Sequence, residues 1–180
     1  FDDIDLRDGP LTTADWSEMD SALLFPAVAR IYGAFPVDPN DPMASLDVGS
    51  VADRTTSIAL GDIDGDGDLD LVVGNNGEPN LLYLNDGTAN PFGSIPAANI
   101  SLQANQTEDI ALGDFDRDGD LDVVAANTGG ESSLLYLNNG TDEPFAGVAG
   151  IDLAYVGNHS VGIVAGDLDG DGDMDLIFGN

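Results

Sequence analysis

The feature that most constrains this chain is a nine-residue aspartate loop that occurs three times. The copies read DIDGDGDLD at 62–70, DFDRDGDLD at 114–122 and DLDGDGDMD at 167–175. Each has Asp at loop positions 1, 3, 5, 7 and 9 and Gly at position 6. Five carboxylates in nine residues repel one another, and a bound hard cation relieves that repulsion. Because oxygen donors at alternating positions suit Ca²⁺, the sequence predicts three calcium sites in a repeat protein.

The ligands that we expect follow the numbering of the loop. Positions 1, 3 and 5 should bind through side-chain oxygens, position 7 through its backbone carbonyl, and position 9 through a closing carboxylate. Arg117 replaces the small residue found at position 4 of the other loops. We expect it to point to solvent and to weaken its site electrostatically. The predicted ligand residues are Asp62, Asp64, Asp66, Asp68 and Asp70; Asp114, Asp116, Asp118, Asp120 and Asp122; and Asp167, Asp169, Asp171, Asp173 and Asp175.

An EF-hand or dockerin loop is the main competing motif. Such a loop requires an acidic residue at position 12 and flanking helices. Position 12 here is Val73, Ala125 or Phe178, and the flanking segments have the pattern of strands. An acidic turn that binds nothing is the other alternative, and three matched copies argue against it.

The segments around the loops predict short antiparallel strands. In the first unit, strands are expected at Ile58–Leu60, Leu69–Val73 and Leu81–Leu84, with a weaker fourth strand at Ile100–Leu102. The second unit repeats this pattern and ends with a strand at Ile151–Tyr155. Turn signals such as Asn-Asn-Gly and Asn-Asp-Gly separate the strands. Four strands in a unit of about 50 residues match the size of a propeller blade.

These repeats resemble the FG-GAP/VCBS family, which forms the blades of integrin α-subunit propellers and occurs in many secreted bacterial proteins. The resemblance is carried by Leu-Gly-Asp at 60–62 and 112–114, the aspartate loops, the apolar strand ending in Gly-Asn, and the Leu-Tyr-Leu-Asn strand. It covers about 57–180 well and 1–43 poorly. It implies that each loop joins the first and second strands of a blade and binds Ca²⁺.

The repeats predict an all-β fold of four-stranded antiparallel propeller-type blades in tandem. Complete units are expected at about 57–108 and 109–160, with a half unit at 161–180. Residues 44–180 form the repeat region. Residues 1–43 form an atypical N-terminal segment with a short helix around Trp16 and part of a blade. The total is about three blade equivalents, which cannot close a ring within this chain.

The chain has different strands of a blade near its two ends, and this allows two interpretations of its assembly. Residues 31–48 resemble the third and fourth strands of a blade, and 161–180 the first and second. Subunits could therefore complete one another's blades head to tail and form a filament. Alternatively, the chain is an excerpt of a larger closed propeller. The first residue is Phe1, and no signal peptide is visible, so we read the chain as a piece of a longer precursor.

Charge limits the partners that this chain can have. It carries 34 acidic residues against 4 basic ones, for a net charge of −30. Nucleic acid and anionic membranes are poor partners for such a surface. The excess acidity fits a protein of salt or sea water, or serves only solubility. No apolar run is long enough to span a membrane. We expect protein subunits or extracellular protein or carbohydrate ligands as partners.

Four N-x-S/T sequons and the lack of a catalytic set complete the functional reading. The sequons favour a secreted or cell-surface glycoprotein, although Asn, Ser and Thr are also ordinary turn residues. His159 is the lone histidine, and we interpret it as a surface residue. The sequence thus predicts a non-enzymatic, calcium-stabilised extracellular module for structure or adhesion. The alternative is a propeller or accessory domain of a secreted polysaccharide-acting enzyme. The glycosylation candidates are Asn99, Asn105, Asn139 and Asn158.

Overall fold

A computed structural model describes residues 54–88, 91–92, 96–153 and 159–180, together with the backbone of 30–32 and 45–47. The regular elements in these ranges are β-strands. The helix predicted around Trp16 lies outside the described residues, as does most of the segment 1–43. The strands are β1 (Arg30–Tyr32), β2 (Ser45–Asp47), β3 (Thr55–Gly61), β4 (Asp70–Asn75), β5 (Leu81–Tyr83), β6 (Ala98–Asn99), β7 (Thr107–Gly113), β8 (Asp122–Asn127), β9 (Leu134–Tyr136), β10 (Ile151–Asp152), β11 (Gly162–Gly166) and β12 (Asp175–Gly179).

The two complete repeats each fold into one four-stranded antiparallel sheet. The first sheet has the order β3-β4-β5-β6 and the second has the order β7-β8-β9-β10, so strands that neighbour in sequence also neighbour in space. Strands β11 and β12 form a two-stranded sheet, and β1 pairs with β2 in another. The predicted all-β class of tandem blades that do not close is therefore confirmed. The head-to-tail filament and the exact division into domains stay predictions.

The fourth strand of each repeat is shorter than predicted, and in the first repeat it also lies earlier in the chain. Strand β6 covers Ala98–Asn99, not Ile100–Leu102. Ile100 donates its N–H to the carbonyl of Asn80 at 2.9 Å and turns a side chain that is 1% exposed into the core. Leu102 is 86% exposed. The apolar character of Ile100 thus reflects core packing at the exit from the sheet. In the second repeat, the described part of the predicted strand pairs only at Ile151–Asp152.

The second strand of each four-stranded sheet is buried on both faces. In β8, Val123 and Ala125 pack toward the first sheet, whereas Val124 and Ala126 pack toward β11 and β12. Alternate side chains of a strand point to opposite faces, so a strand between two neighbouring sheets must be apolar throughout. This explains the continuous apolar run of β8. In β4, the second face packs against Tyr83, Phe92 and Ala97 of the same repeat, so this strand is apolar throughout as well. The sheets therefore stack face to face, as blades do.

The first strands of successive repeats lie side by side and hold the stack together. Ser57 on β3 donates from its hydroxyl to the Asp109 carboxylate on β7 at 2.7 Å. The same carboxylate accepts the N–H of Ile163 on β11 at 2.9 Å. Thr56 adds a hydrogen bond from its hydroxyl to the carbonyl of Thr107 at 2.7 Å. Because each of these strands leads directly into an aspartate loop, the three loops lie at one end of the stack.

Candidate metal centres

Each aspartate loop connects the first strand of its sheet to the second. The position-6 glycines Gly67, Gly119 and Gly172 have φ values of 95°, 99° and 89°. A Cβ at these positions would meet nothing within 4 Å, so the requirement for glycine is conformational and not steric. The predicted sharp turn is therefore present in all three loops.

The aspartate at position 9 locks the loop to the sheet. Asp70 is buried, and its two carboxylate oxygens accept the N–H groups of Ile63 and Asn85, each at 2.8 Å. One bond closes the loop and the other ties it to the turn after β5. The equivalent bonds run from Phe115 and Asn138 to Asp122, each at 2.8 Å, and from Leu168 to Asp175 at 2.9 Å.

The remaining loop carboxylates are turned toward one another. Within the described residues, three groups each have ligand oxygens that lie within 4.8 Å of one another. Positions 1 and 3 contribute to every group, joined by position 5 in the first loop and by position 9 in the other two. The groups are Asp62, Asp64 and Asp66; Asp114, Asp116 and Asp122; and Asp167, Asp169 and Asp175.

One oxygen of the first group shows most directly that a cation fits. Asp62 accepts the N–H of Gly67 through Oδ2 at 3.1 Å, whereas its Oδ1 is buried and has no hydrogen-bond partner. A buried carboxylate oxygen without a partner is costly, and a cation would satisfy it. The donors are all oxygens, which suits a hard ion such as Ca²⁺ more than a thiolate- or imidazole-binding metal.

Electrostatics within the loops points in the same direction. Burial raises the pKa of Asp64 above its usual value, and the negative charges of Asp70 and Asp66 raise it further. Burial also raises the pKa of Asp70 and of Asp122, against the lowering effect of the backbone N–H groups that these carboxylates accept. The charged forms are thus disfavoured in the ion-free protein. A divalent cation would reverse this effect.

Position 7 lies outside the three groups. A Cβ on Gly87 would lie 2.8 Å from Asp68 Oδ2, and one on Gly140 would lie 2.9 Å from Asp120 Oδ2. These side chains therefore rest against the glycine of the turn that follows the third strand. Their backbone carbonyls remain the predicted ligands. Two position-5 residues, Asp118 and Asp171, also lie outside the groups and stay predictions as ligands.

Arg117 is exposed, as predicted, but it also has a partner in another loop. Its guanidinium contacts the carboxylate of Asp173, at position 7 of the third loop. The two side chains are 58% and 49% exposed. Sequence reasoning considered each loop alone, so it could not detect a contact between neighbouring loops.

Sequence reasoning also missed the asparagines that brace the loops. Asn138 is 5% exposed and donates from its side chain to the carbonyls of Ile63 at 2.8 Å and Leu121 at 3.2 Å. It therefore connects the second repeat to the first aspartate loop. Asn85 makes the corresponding bond to the carbonyl of Leu69 at 3.1 Å. The recurring Leu-Tyr-Leu-Asn segment was the signal, although its asparagine reads as a simple turn residue.

The other predicted residues lie on the surface where the structure describes them. His159 is exposed, as predicted. Asn99 and Asn139 are exposed and Asn105 is half-buried, whereas Asn158 lies outside the described residues. Across the ranges that the structure covers, no helix has the length and apolarity needed to cross a bilayer.

Comparison with known proteins agrees with this geometry. The FG-GAP-like repeat matches residues 62–125 and 114–178. The chain is also similar to cartilage acidic protein 1 of Xenopus tropicalis, with 27% identity over 124 residues, and to cartilage acidic protein 1 of Mus musculus, with 25% identity over 124 residues. Each match covers 68% of this chain and 19% of the relative, so the chain spans about a fifth of these relatives. The repeat matches extend over more than half of the sequence, and the chain belongs to the FG-GAP-like repeat family.

Proposed function

We propose that this chain is a calcium-stabilised, non-enzymatic extracellular module that serves structure or adhesion. The observation that carries the proposal is the repeated grouping of carboxylate oxygens within 4.8 Å in all three loops, at one end of the stacked sheets. In the first loop, positions 1, 3 and 5 would hold the ion. In the second and third loops, position 9 would join positions 1 and 3.

The role of calcium in this proposal is to stabilise the fold. Bound Ca²⁺ would supply positive charge where neighbouring carboxylates repel, and would fix the connection between the first two strands of each sheet. Affinities typical of extracellular modules are on the order of 10⁻⁴–10⁻³ M. At a tenfold excess over Kd, each site adds about 1.4 kcal/mol, so three sites add about 4 kcal/mol.

An extracellular location and a role in recognition are supported by the surface. Two of the sequon asparagines are exposed, and the net charge of −30 disfavours nucleic acid and anionic membranes as partners. The relatives are named for cartilage and for acidity, and this chain shares the acidity. We infer that its partners are extracellular proteins or carbohydrates, with further copies of the chain as another option.

Thermal unfolding with and without calcium tests the proposal. We expect the Tm in about 10 mM CaCl₂ to exceed that in EGTA by roughly 8–16 °C, since 1 kcal/mol shifts the Tm of a domain of this size by about 2–4 °C. Asp64→Asn keeps the Oδ1 acceptor for the Asp66 N–H but removes one ligand charge. It should lose about a third of the calcium-dependent shift.

The matched control is Asp152→Asn. Asp152 is exposed on β10, so this variant makes the same charge change away from the loops. It should keep the full calcium-dependent shift. A wild-type Tm that is equal in calcium and in EGTA would show that the loops do not stabilise the fold through calcium.

A further inference from the structure

Arg117 occupies a backbone position that disfavours it. Position 4 has φ values of 75° at Gly65 and 80° at Gly170, and Arg117 has a φ of 66°. Residues other than Gly, Asn and Asp rarely adopt this left-handed backbone conformation. Glycine would fit the backbone of the second loop better, so the conformation of the loop does not explain the arginine.

The side chain of Arg117 contacts the next loop. The guanidinium lies against the Asp173 carboxylate, and the partners belong to adjacent repeats. Asp173 is outside the group of clustered oxygens formed by Asp167, Asp169 and Asp175. Its carboxylate can therefore hold the guanidinium while those three residues hold an ion.

We propose that Arg117 couples the second and third aspartate loops, acting as a built-in cation that partly replaces calcium in the ion-free protein and weakens calcium binding at the third loop. This inference rests on the proposed function, since it presupposes that the third loop binds calcium.

The direction of the effect follows from the charges. In the ion-free protein, the guanidinium attracts the carboxylates of the third loop and ties two repeats together. When a divalent cation enters that loop, the same positive charge repels it. Removing the charge should therefore destabilise the ion-free protein and strengthen calcium binding. At an exposed, salt-screened site, we expect an affinity gain of about two- to fivefold.

The experiment measures calcium affinity by isothermal titration and the Tm in EGTA, using three variants of the full chain. Arg117→Gln removes the charge but retains a side chain at the unfavourable φ, so that backbone strain is matched. Arg117→Lys retains the charge. Arg54→Gln makes the same charge change at an exposed residue that precedes β3, at the strand end opposite to the first loop.

We expect Arg117→Gln to bind calcium about two- to fivefold more tightly at one site and to lower the Tm in EGTA by about 1–3 °C. Arg117→Lys should resemble the wild type in affinity, and Arg54→Gln should change affinity by less than about 1.5-fold. In an Asp173→Asn background, Arg117→Gln should no longer lower the Tm in EGTA, because its partner charge is gone.

Two results would overturn the coupling while leaving the proposed function intact. One is equal calcium affinity in Arg117→Gln and Arg54→Gln, with wild-type binding demonstrated. The other is a loss of Tm in EGTA that persists unchanged in the Asp173→Asn background. If the wild type binds no calcium at all, the proposed function itself fails, and the titration separates that case from the other two.

Discussion

Asp109 is the residue whose replacement should most clearly test how the repeats are joined. Its carboxylate lies between the first strands of all three repeats, with Ser57 on one side and Ile163 on the other. The equivalent residues on those neighbouring strands are Ser57 and Gly162. A Cβ on Gly162 would lie 3.9 Å from Asp109 Oδ2, which is an ordinary contact distance. We expect Asp109→Ala to remove both connections at once.

The magnitude follows from the two donors on neighbouring strands that lose their acceptor. The N–H of Ile110 also donates to Asp109 Oδ1 at 2.9 Å, but it keeps the Ser57 hydroxyl as an acceptor at 3.2 Å. A hydrogen bond to a charged group contributes about 1.5–3 kcal/mol. Ser57 is half-buried, so water can replace part of its bond. Ile163 is only 8% exposed, so its N–H keeps most of the desolvation penalty. The sum is about 2–4 kcal/mol of unfolding free energy, or roughly 4–16 °C in Tm for a domain of this size.

Urea denaturation at saturating calcium, followed by circular dichroism, measures this loss, and Asp152→Ala serves as the control with the same change of charge. The Ser57→Ala and Asp109→Ala double-mutant cycle should give a coupling of about 1 kcal/mol. If Asp109→Ala lies within about 0.5 kcal/mol of Asp152→Ala, the carboxylate does not hold the repeats together and the reasoning is refuted.

Two further predictions concern the loops and the sheet ends. The pKa values of Asp64, Asp70 and Asp122 are raised above the usual 3.8, so between that value and the raised ones the folded, ion-free protein holds more protons than the unfolded chain. The stability that these groups give the ion-free protein therefore falls as pH rises. We expect the Tm gain from calcium to be largest near pH 7 and to shrink toward pH 4. Thermal melting in calcium and in metal-stripped buffer checks this, and a gain that is constant over the range would contradict it. Asn127→Ala should cost about 2–4 kcal/mol, because Asn127 is fully buried, accepts from the Thr107 hydroxyl at 2.8 Å and donates to the Ser132 carbonyl at 2.7 Å. Chemical denaturation should show a much smaller loss for Asn99→Ala at an exposed position, and equal losses would refute the buried role.

The architecture was predictable because local patterns set most of it. Alternating and continuous apolar runs, turn signals and the fixed spacing of the loops predict strand order within a sheet. The register is then constrained by which side chains must be buried. The error at β6 shows the limit of this reasoning. Ile100 has the composition of a strand residue, but it packs in the core one residue after the pairing ends.

The contacts between repeats could not be predicted in the same way. The interactions of Arg117 with Asp173 and of Asp109 with Ser57 join residues more than 50 positions apart. Their existence depends on how two sheets stack, and no single loop or strand contains that information. Arg117 and Asp109 each differ from the residues at the equivalent positions of the other two repeats. A departure from an internal repeat was the available signal, but it does not identify the partner.

The position-9 aspartates of the second and third loops would serve the fold and a bound metal ion at the same time. One carboxylate oxygen of Asp122 accepts the N–H of Phe115 and the other accepts the N–H of Asn138. Each oxygen keeps a lone pair for a further contact. The end of the loop is therefore fixed by backbone bonds that exist without the ion. Position 1 is held in a similar way, because Asp114 accepts the N–H groups of Asp118 and Gly119, each at 3.1 Å, and Asp167 accepts those of Gly170 at 2.7 Å and Gly172 at 3.1 Å. We therefore expect the loop to be in place before an ion binds, and a bound Ca²⁺ would act on the carboxylate oxygens that already lie within 4.8 Å of one another.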